Sequence, residues 1–167
     1  VVISVDMLVD RGITHEIVRH RIASYTQEST RFVNYVKKMP PSFIYPQVDV
    51  ECEHCLAGNE AWAFSPGNDY EHTIGQEANS VLCAYNKEWM ASIAQAELSY
   101  KKLLADKWRP QEARSVFPNA LASRIVVTMN PRSWRQFFLM RTTKEAHPQM
   151  RQVTIPLLEE FKKMIPV

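Results

Sequence analysis

The stretch Arg19-His20-Arg21-Ile22-Ala23-Ser24-Tyr25-Thr26-Gln27-Glu28-Ser29-Thr30-Arg31 places three guanidinium groups, an imidazole and the hydroxyls of Ser24 and Ser29 within thirteen residues. No carboxylate separates Arg19, His20 and Arg21. Clustered cations repel one another unless an anion neutralises them. The planar guanidinium is also the side chain best shaped for forked recognition of phosphate. The stretch therefore reads as the site of a phosphate-bearing ligand. The plain structural reading is a solvated helix end favoured by the helix dipole. It accounts for Arg19 and Arg21 but not for Ser24, Ser29 and Arg31 in register behind them.

Reading outward, Val1, Ile3, Val5, Met7 and Val9 alternate with Ser4, Asp6 and Asp10, the pattern of a half-buried strand. Arg11-Gly12 reads as a turn. Thr14 then caps a helix to about Ala23, with Glu16 in its first turn and Ile13, Ile17 and Ile22 as its apolar contacts. Arg19, His20 and Arg21 would occupy its last turn, about 100° apart, so that one faces a ligand while another reaches a neighbouring subunit. Ser24 to Thr30 reads as an ordered polar loop. Short strands are expected at 32–36 and 43–50, either side of Pro40-Pro41, and irregular chain at 51–68. Apolar residues recur at helical spacing from about Asp69 to Lys107. Pro110 opens a short helix to about Val116, and Pro118-Asn119 is a turn. Ile125, Val127 and Met129 mark another strand. Asn130-Pro131 caps a helix to Arg141, and Pro148 opens the last helix. Long helices with a few strands make an α+β chain.

At 167 residues the chain fits one domain, here taken as residues 1–167. A net charge of +2 is too small to indicate nucleic acid by itself, whereas the clustering of cations indicates a local anion site. The sequence shows no run long enough to span a membrane and no signal peptide. Three cysteines do not make a disulfide framework, which fits a reducing cytoplasm. Cys52-Glu53-His54-Cys55, with His72 beyond it, has zinc-like spacing but lacks a second ligand pair, so no metal is expected.

Arg-His-Arg-x-x-Ser, four residues, then Ser-x-Arg resembles the signature of the flavin-dependent thymidylate synthases (the ThyX family). Further likeness lies in Pro118 to Arg124, in Asn130-x-Arg132 with Phe137 and Arg141, and in Arg151 near the start of the last helix. The resemblance implies a ThyX-like fold with long central helices on a small sheet, and methylation of dUMP to dTMP. Methylenetetrahydrofolate would give the carbon, reduced FAD the hydride, and NADPH would recharge the flavin. It implies no covalent Cys adduct. It also implies a homotetramer with sites shared between subunits, and neither nucleic acid nor membrane as a partner.

By the same resemblance, Arg151 would sit beside the uracil edge and favour ionisation at nitrogen 3, the main catalytic role. Arg19, His20, Arg21 and Arg141 would hold the cofactor. Gln27, Glu28, Ser29, Thr30, Arg31, Arg124 and Arg151 would hold dUMP. Ser29 reads as a binding group rather than a nucleophile, since no base is evident for it. Arg124 has a plainer reading as the partner of a carboxylate. Glu16, Phe32 and Gln149-Met150 depart from frequent family residues. The family's usual N-terminal segment, with a His near flavin and folate, is expected to be missing from this sequence. Two rivals stand beside this reading: a nucleic-acid-binding module, and a relative that binds nucleotide without turnover.

Overall fold

A computed structural model describes residues 1–37, 40–46, 63–64 and 84–165. The chain divides into two compact units, Val1–Glu28 with Ser123–Val167, and Ser29–Ala122.

The first unit opens with β1 (Ile3–Asp10), the expected alternating strand, which buries Met7 and Val9. Helix α1 (Arg11–Ile17) follows at once. Its cap is Asp10 rather than Thr14: the Asp10 carboxylate accepts from the Ile13 amide at 2.7 Å. Arg11-Gly12 is thus first-turn helix. Thr14 lies inside, fully buried, donating to the Arg11 carbonyl at 2.9 Å. Glu16 falls in the last turn of α1.

The helix ends at Ile17, well short of Ala23. Arg19 and His20 donate to carbonyls three residues back, which tightens the chain into a turn. Ile22, with φ of 63°, then redirects it. Arg19, His20 and Arg21 accordingly sit on a turn, not on a helical last turn. Ser24 onward is not a loop but strand β2 (Ala23–Gln27). Its half-buried Ala23, Tyr25 and Gln27 alternate with exposed Ser24 and Thr26.

Strand β5 (Ala122–Met129) is central, flanked by β1 and β2, and pairs antiparallel with β2 from Ala23↔Met129 to Gln27↔Ile125. Helices α4 (Pro131–Arg141) and α5 (Pro148–Met164) begin at the expected prolines, with Asn130 and His147 as caps. Their Trp134, Phe137, Phe138, Met150 and Phe161 join Ile13, Ile17, Ile125 and Val127 in one core. The Trp134 indole donates to the Ile3 carbonyl at 3.1 Å, which satisfies its one polar atom.

In the second unit, 32–36 is not a strand. Asn34 Oδ1 accepts from the Val36 and Lys37 amides at 3.0 and 3.1 Å and winds the segment into turns. Strand β3 (Phe43–Ile44) pairs antiparallel with β4 (Ala63–Phe64), which lies in the stretch expected to be irregular. Helix α2 (Ala84–Ala105) carries the long helical periodicity, and α3 (Pro110–Ala113) runs into a single 3-10 turn, Arg114–Val116. Tyr35, Phe43, Ile93, Tyr100 and Leu121 form this unit's core. The early part of the expected long helix, residues 47–50 of the expected strand, and Cys52, His54, Cys55, His72 and Cys83 lie outside the described residues. Among the described residues no helix is long and apolar enough to cross a membrane, and no group of three or more His, Cys, Asp or Glu could hold a metal.

Candidate anion and nucleotide site

In the first unit, Arg19, His20, Arg21, Ser133, Gln136, Met140 and Arg141 line a cavity of about 270 Å³. Two elements build it. The turn after α1 supplies the Arg-His-Arg residues, and α4 supplies the rest from positions one helical turn apart.

The turn is pinned from below. The Tyr25 hydroxyl lies 3.0 Å from the Ile17 carbonyl and 2.5 Å from the His20 carbonyl. Burial pushes this phenol's pKa up, so it stays a donor. Arg19 and Arg21 are exposed, and among the described residues neither has an acidic partner. They remain available to an anion.

Arg141 is differently placed. Its Nη1 donates to the Glu16 carboxylate at 2.6 Å, Nη2 to the Glu16 carbonyl at 3.3 Å, and Nε to His20 Nε2 at 2.8 Å. The expected cofactor ligand thus has its guanidinium engaged within the protein, with Glu16 neutralising it. The His20 ring packs edge-on against Phe137, centroids 4.9 Å apart. Burial, then the Arg141 cation, lower the His20 pKa, and Glu16 partly offsets them.

The expected dUMP residues fall in both units. In the first, the Gln27 amide donates inward to the hydroxyls of Thr14 and Ser123, at 3.0 and 3.2 Å. Glu28 is exposed, and its amide donates to the Arg124 carbonyl at 2.9 Å. The Arg124 guanidinium forks onto Asp6, with Nε 2.8 and 2.9 Å from its two oxygens. This is the carboxylate pairing that the plainer reading allowed. It is a surface pair, open to exchange with another anion. The hydrogen bond from Arg124 lowers the Asp6 pKa.

Arg151 stands in the first turn of α5, half-buried. Its Nε is buried and has no hydrogen-bond partner among the described residues. An unmet buried donor costs about 1–3 kcal/mol.

In the second unit, Ser29 and Arg31 are exposed while Thr30 between them is buried. Arg114, which the sequence gave no reason to single out, donates from Nη1 to Thr30 Oγ1 at 2.5 Å and from Nε to the Gln111 carbonyl at 3.2 Å. Thr30 is therefore an anchor, and its neighbours are displayed. The Ser29 hydroxyl accepts from the Arg31 amide at 3.3 Å, and Arg31 lies 5.5 Å over the Phe32 ring. No base accompanies Ser29 among these contacts.

Taken by their chemistry, Arg19, His20, Arg21, Ser133 and Gln136 give the first unit a candidate anion site of guanidiniums, a hydroxyl, an amide and one imidazole. The chain belongs to the thymidylate synthase complementing protein family, whose profile matches it over residues 1–167. A flavin-dependent thymidylate synthase of Corynebacterium efficiens is 34% identical over 95% of this chain and 56% of its own length. Relatives of the same name from Clostridium tetani and Mycobacterium tuberculosis are 32% and 31% identical over 95% of the chain. The chain spans little more than half the length of these relatives, 56–57%.

Proposed function

We propose that the chain forms the nucleotide- and flavin-binding part of a flavin-dependent thymidylate synthase. The reaction methylates dUMP to dTMP with carbon from methylenetetrahydrofolate, and NADPH is the terminal reductant. The observation that carries this reading is the pair of exposed cations, Arg19 and Arg21, which have no acidic partner among the described residues and line the α4 cavity in a chain of this family.

The residues fit FAD in charge and in donors. Arg19 and Arg21 offer guanidiniums to its diphosphate, and Ser133 and Gln136 offer neutral hydrogen bonds. The cavity, at about 270 Å³, matches a portion of the dinucleotide rather than the whole. Bound and reduced, the flavin supplies the hydride. Ser29 and Arg31 hold the dUMP phosphate on the loop that Thr30 anchors. In the first unit Arg124 is a further candidate for dUMP, by exchanging Asp6 for an anion, with Gln27 and Glu28 at the end of β2.

Arg151 is the catalytic residue in this reading. Its guanidinium beside the uracil edge favours ionisation at nitrogen 3, which moves electron density onto carbon 5. Two features support the role: its half-buried position, where charge is felt more strongly than in water, and the absence of a carboxylate partner among the described residues. Four subunits sharing sites complete the proposal, as does a cytoplasmic location. The exposed Leu139 and Met140 on α4 suit a subunit contact.

The test is tritium release from carbon 5 of labelled dUMP. Arg151→Ala abolishes release while dUMP is still bound. Unchanged release removes Arg151 from the mechanism. A relative that binds nucleotide without turnover would show dUMP binding and no tritium release in the unaltered protein.

A further inference from the structure

We propose that Arg141 and Glu16 are positioning residues that fix His20 as a neutral imidazole carrying its proton on Nδ1. The cavity is thereby offered a directed hydrogen-bond donor at this position and not a third free cation.

The geometry carries the assignment. A guanidinium has only donors, so the ring nitrogen 2.8 Å from Arg141 Nε must be the acceptor. Nε2 therefore keeps its lone pair, and a neutral ring then holds its one proton on Nδ1. A charged His20 would set two N–H groups against each other at that distance.

The guanidinium is planar and rigid, so fixing two of its nitrogens aims the third. Glu16 does this with both its carboxylate and its main-chain carbonyl, at 2.6 and 3.3 Å. The pair is shielded, with side chains 17% and 33% exposed, so solvent competes less than at an open surface. Phe137 closes one side of the ring.

The charged and titratable groups around His20 are few. Glu16 comes from α1, Arg141 from α4, Arg19 and Arg21 from its own turn, and the Tyr25 phenol from β2. Burial of the ring and then, of these groups, the Arg141 cation act against a further positive charge, and the Glu16 carboxylate opposes them. The lowered pKa of His20 agrees with this. Nδ1 has no hydrogen-bond partner among the described residues. The ligand atom it suits is an acceptor such as a carbonyl or phosphate oxygen. The inference rests on the flavin reading only for the identity of that ligand.

The test uses the full chain labelled with nitrogen-15 and long-range proton–nitrogen NMR of its imidazoles from about pH 5 to about pH 8. His20→Gln identifies the His20 signals among those of the five histidines. The expected result is a ring that is neutral at about pH 7 with Nδ1 protonated. A ring protonated on Nε2, or charged at that pH, overturns the inference. Arg141→Gln should move the proton to Nε2 and raise the titration toward the ordinary imidazole value. Arg141→Met removes every donor at this position, and should also lose the Nδ1 tautomer. If the Gln variant fails to fold, the Met variant decides, and an unchanged tautomer in it overturns the proposal. FAD retention after desalting, measured on the same samples, separates the two readings. A Nδ1 tautomer without retained FAD upholds this inference and refutes the flavin assignment.

Discussion

Tyr25→Phe tests whether the Arg-His-Arg turn is held from beneath. The substitution keeps the ring and its packing and removes one hydroxyl. That hydroxyl contacts the carbonyls of Ile17 and His20. The Ile17 carbonyl keeps the His20 amide as a donor at 3.1 Å, whereas the His20 carbonyl loses the only donor found for it among the described residues. One partly buried hydrogen bond is worth about 0.5–1.5 kcal/mol. Against it stands the left-handed backbone of Ile22, a β-branched residue at φ 63°, which costs about 1–2 kcal/mol. The two are of similar size, so losing the bond leaves the strain unopposed and the turn opens. A loss of about 1 kcal/mol in the population of the closed turn weakens any ligand of Arg19 and Arg21 about fivefold. Much of the folding cost is returned as Ile22 relaxes, so the melting midpoint falls by no more than about 2–4 °C. The assays are FAD titration by flavin fluorescence and a thermal melt. Adding Ile22→Gly to the Tyr25→Phe protein should restore affinity, because glycine adopts a positive φ without penalty. Unchanged FAD affinity in Tyr25→Phe would refute the proposed coupling between the phenol and the turn.

Two further outcomes are expected. Arg31→Ala should weaken dUMP binding by about tenfold or more, the cost of a hydrogen bond to a charged group, while FAD affinity changes little; calorimetry with each ligand checks this, and equal losses would show the ligand assignment to be wrong. Because the His20 pKa is lowered on folding, the unfolded ring binds a proton that the native ring does not. Its contribution to stability is therefore full above about pH 6.5, falls as the pH drops from there to the lowered value, and is level below it. Urea melts across that range should lose this slope in His20→Gln.

The elements that the sequence announced clearly are those with one dominant local signal. The alternation of β1 and the Asn130-Pro131 and Pro148 starts are found where expected. The α1 region misled because Thr14 and Asp10 are both good caps, and only the Ile13 amide's bond to the Asp10 carboxylate decides between them. Strand β2 was hidden because its covered face is just Ala23, Tyr25 and Gln27, too weakly apolar to show a period of two.

The candidate residues could be named from the sequence, but their partners could not. Arg124 meets Asp6 across 118 residues, Arg141 meets Glu16 across 125, and Arg114 meets Thr30 across 84. No local pattern joins such pairs. Sequence showed which cations were present, but only the fold separates Arg19 and Arg21, unpaired among the described residues, from the engaged Arg124 and Arg141. The exposed faces of β1 and β5, polar at Asp6 and Arg124, were the one available hint.

The most direct measurement is an anaerobic absorbance spectrum of the protein loaded with FAD and desalted, then given NADPH with and without dUMP. A retained flavin band that bleaches with NADPH is expected, with loss of that band when Arg19 and Arg21 are both replaced by Ala. A protein that binds dUMP yet retains no flavin, or whose flavin is indifferent to Arg19 and Arg21, would contradict the flavin assignment.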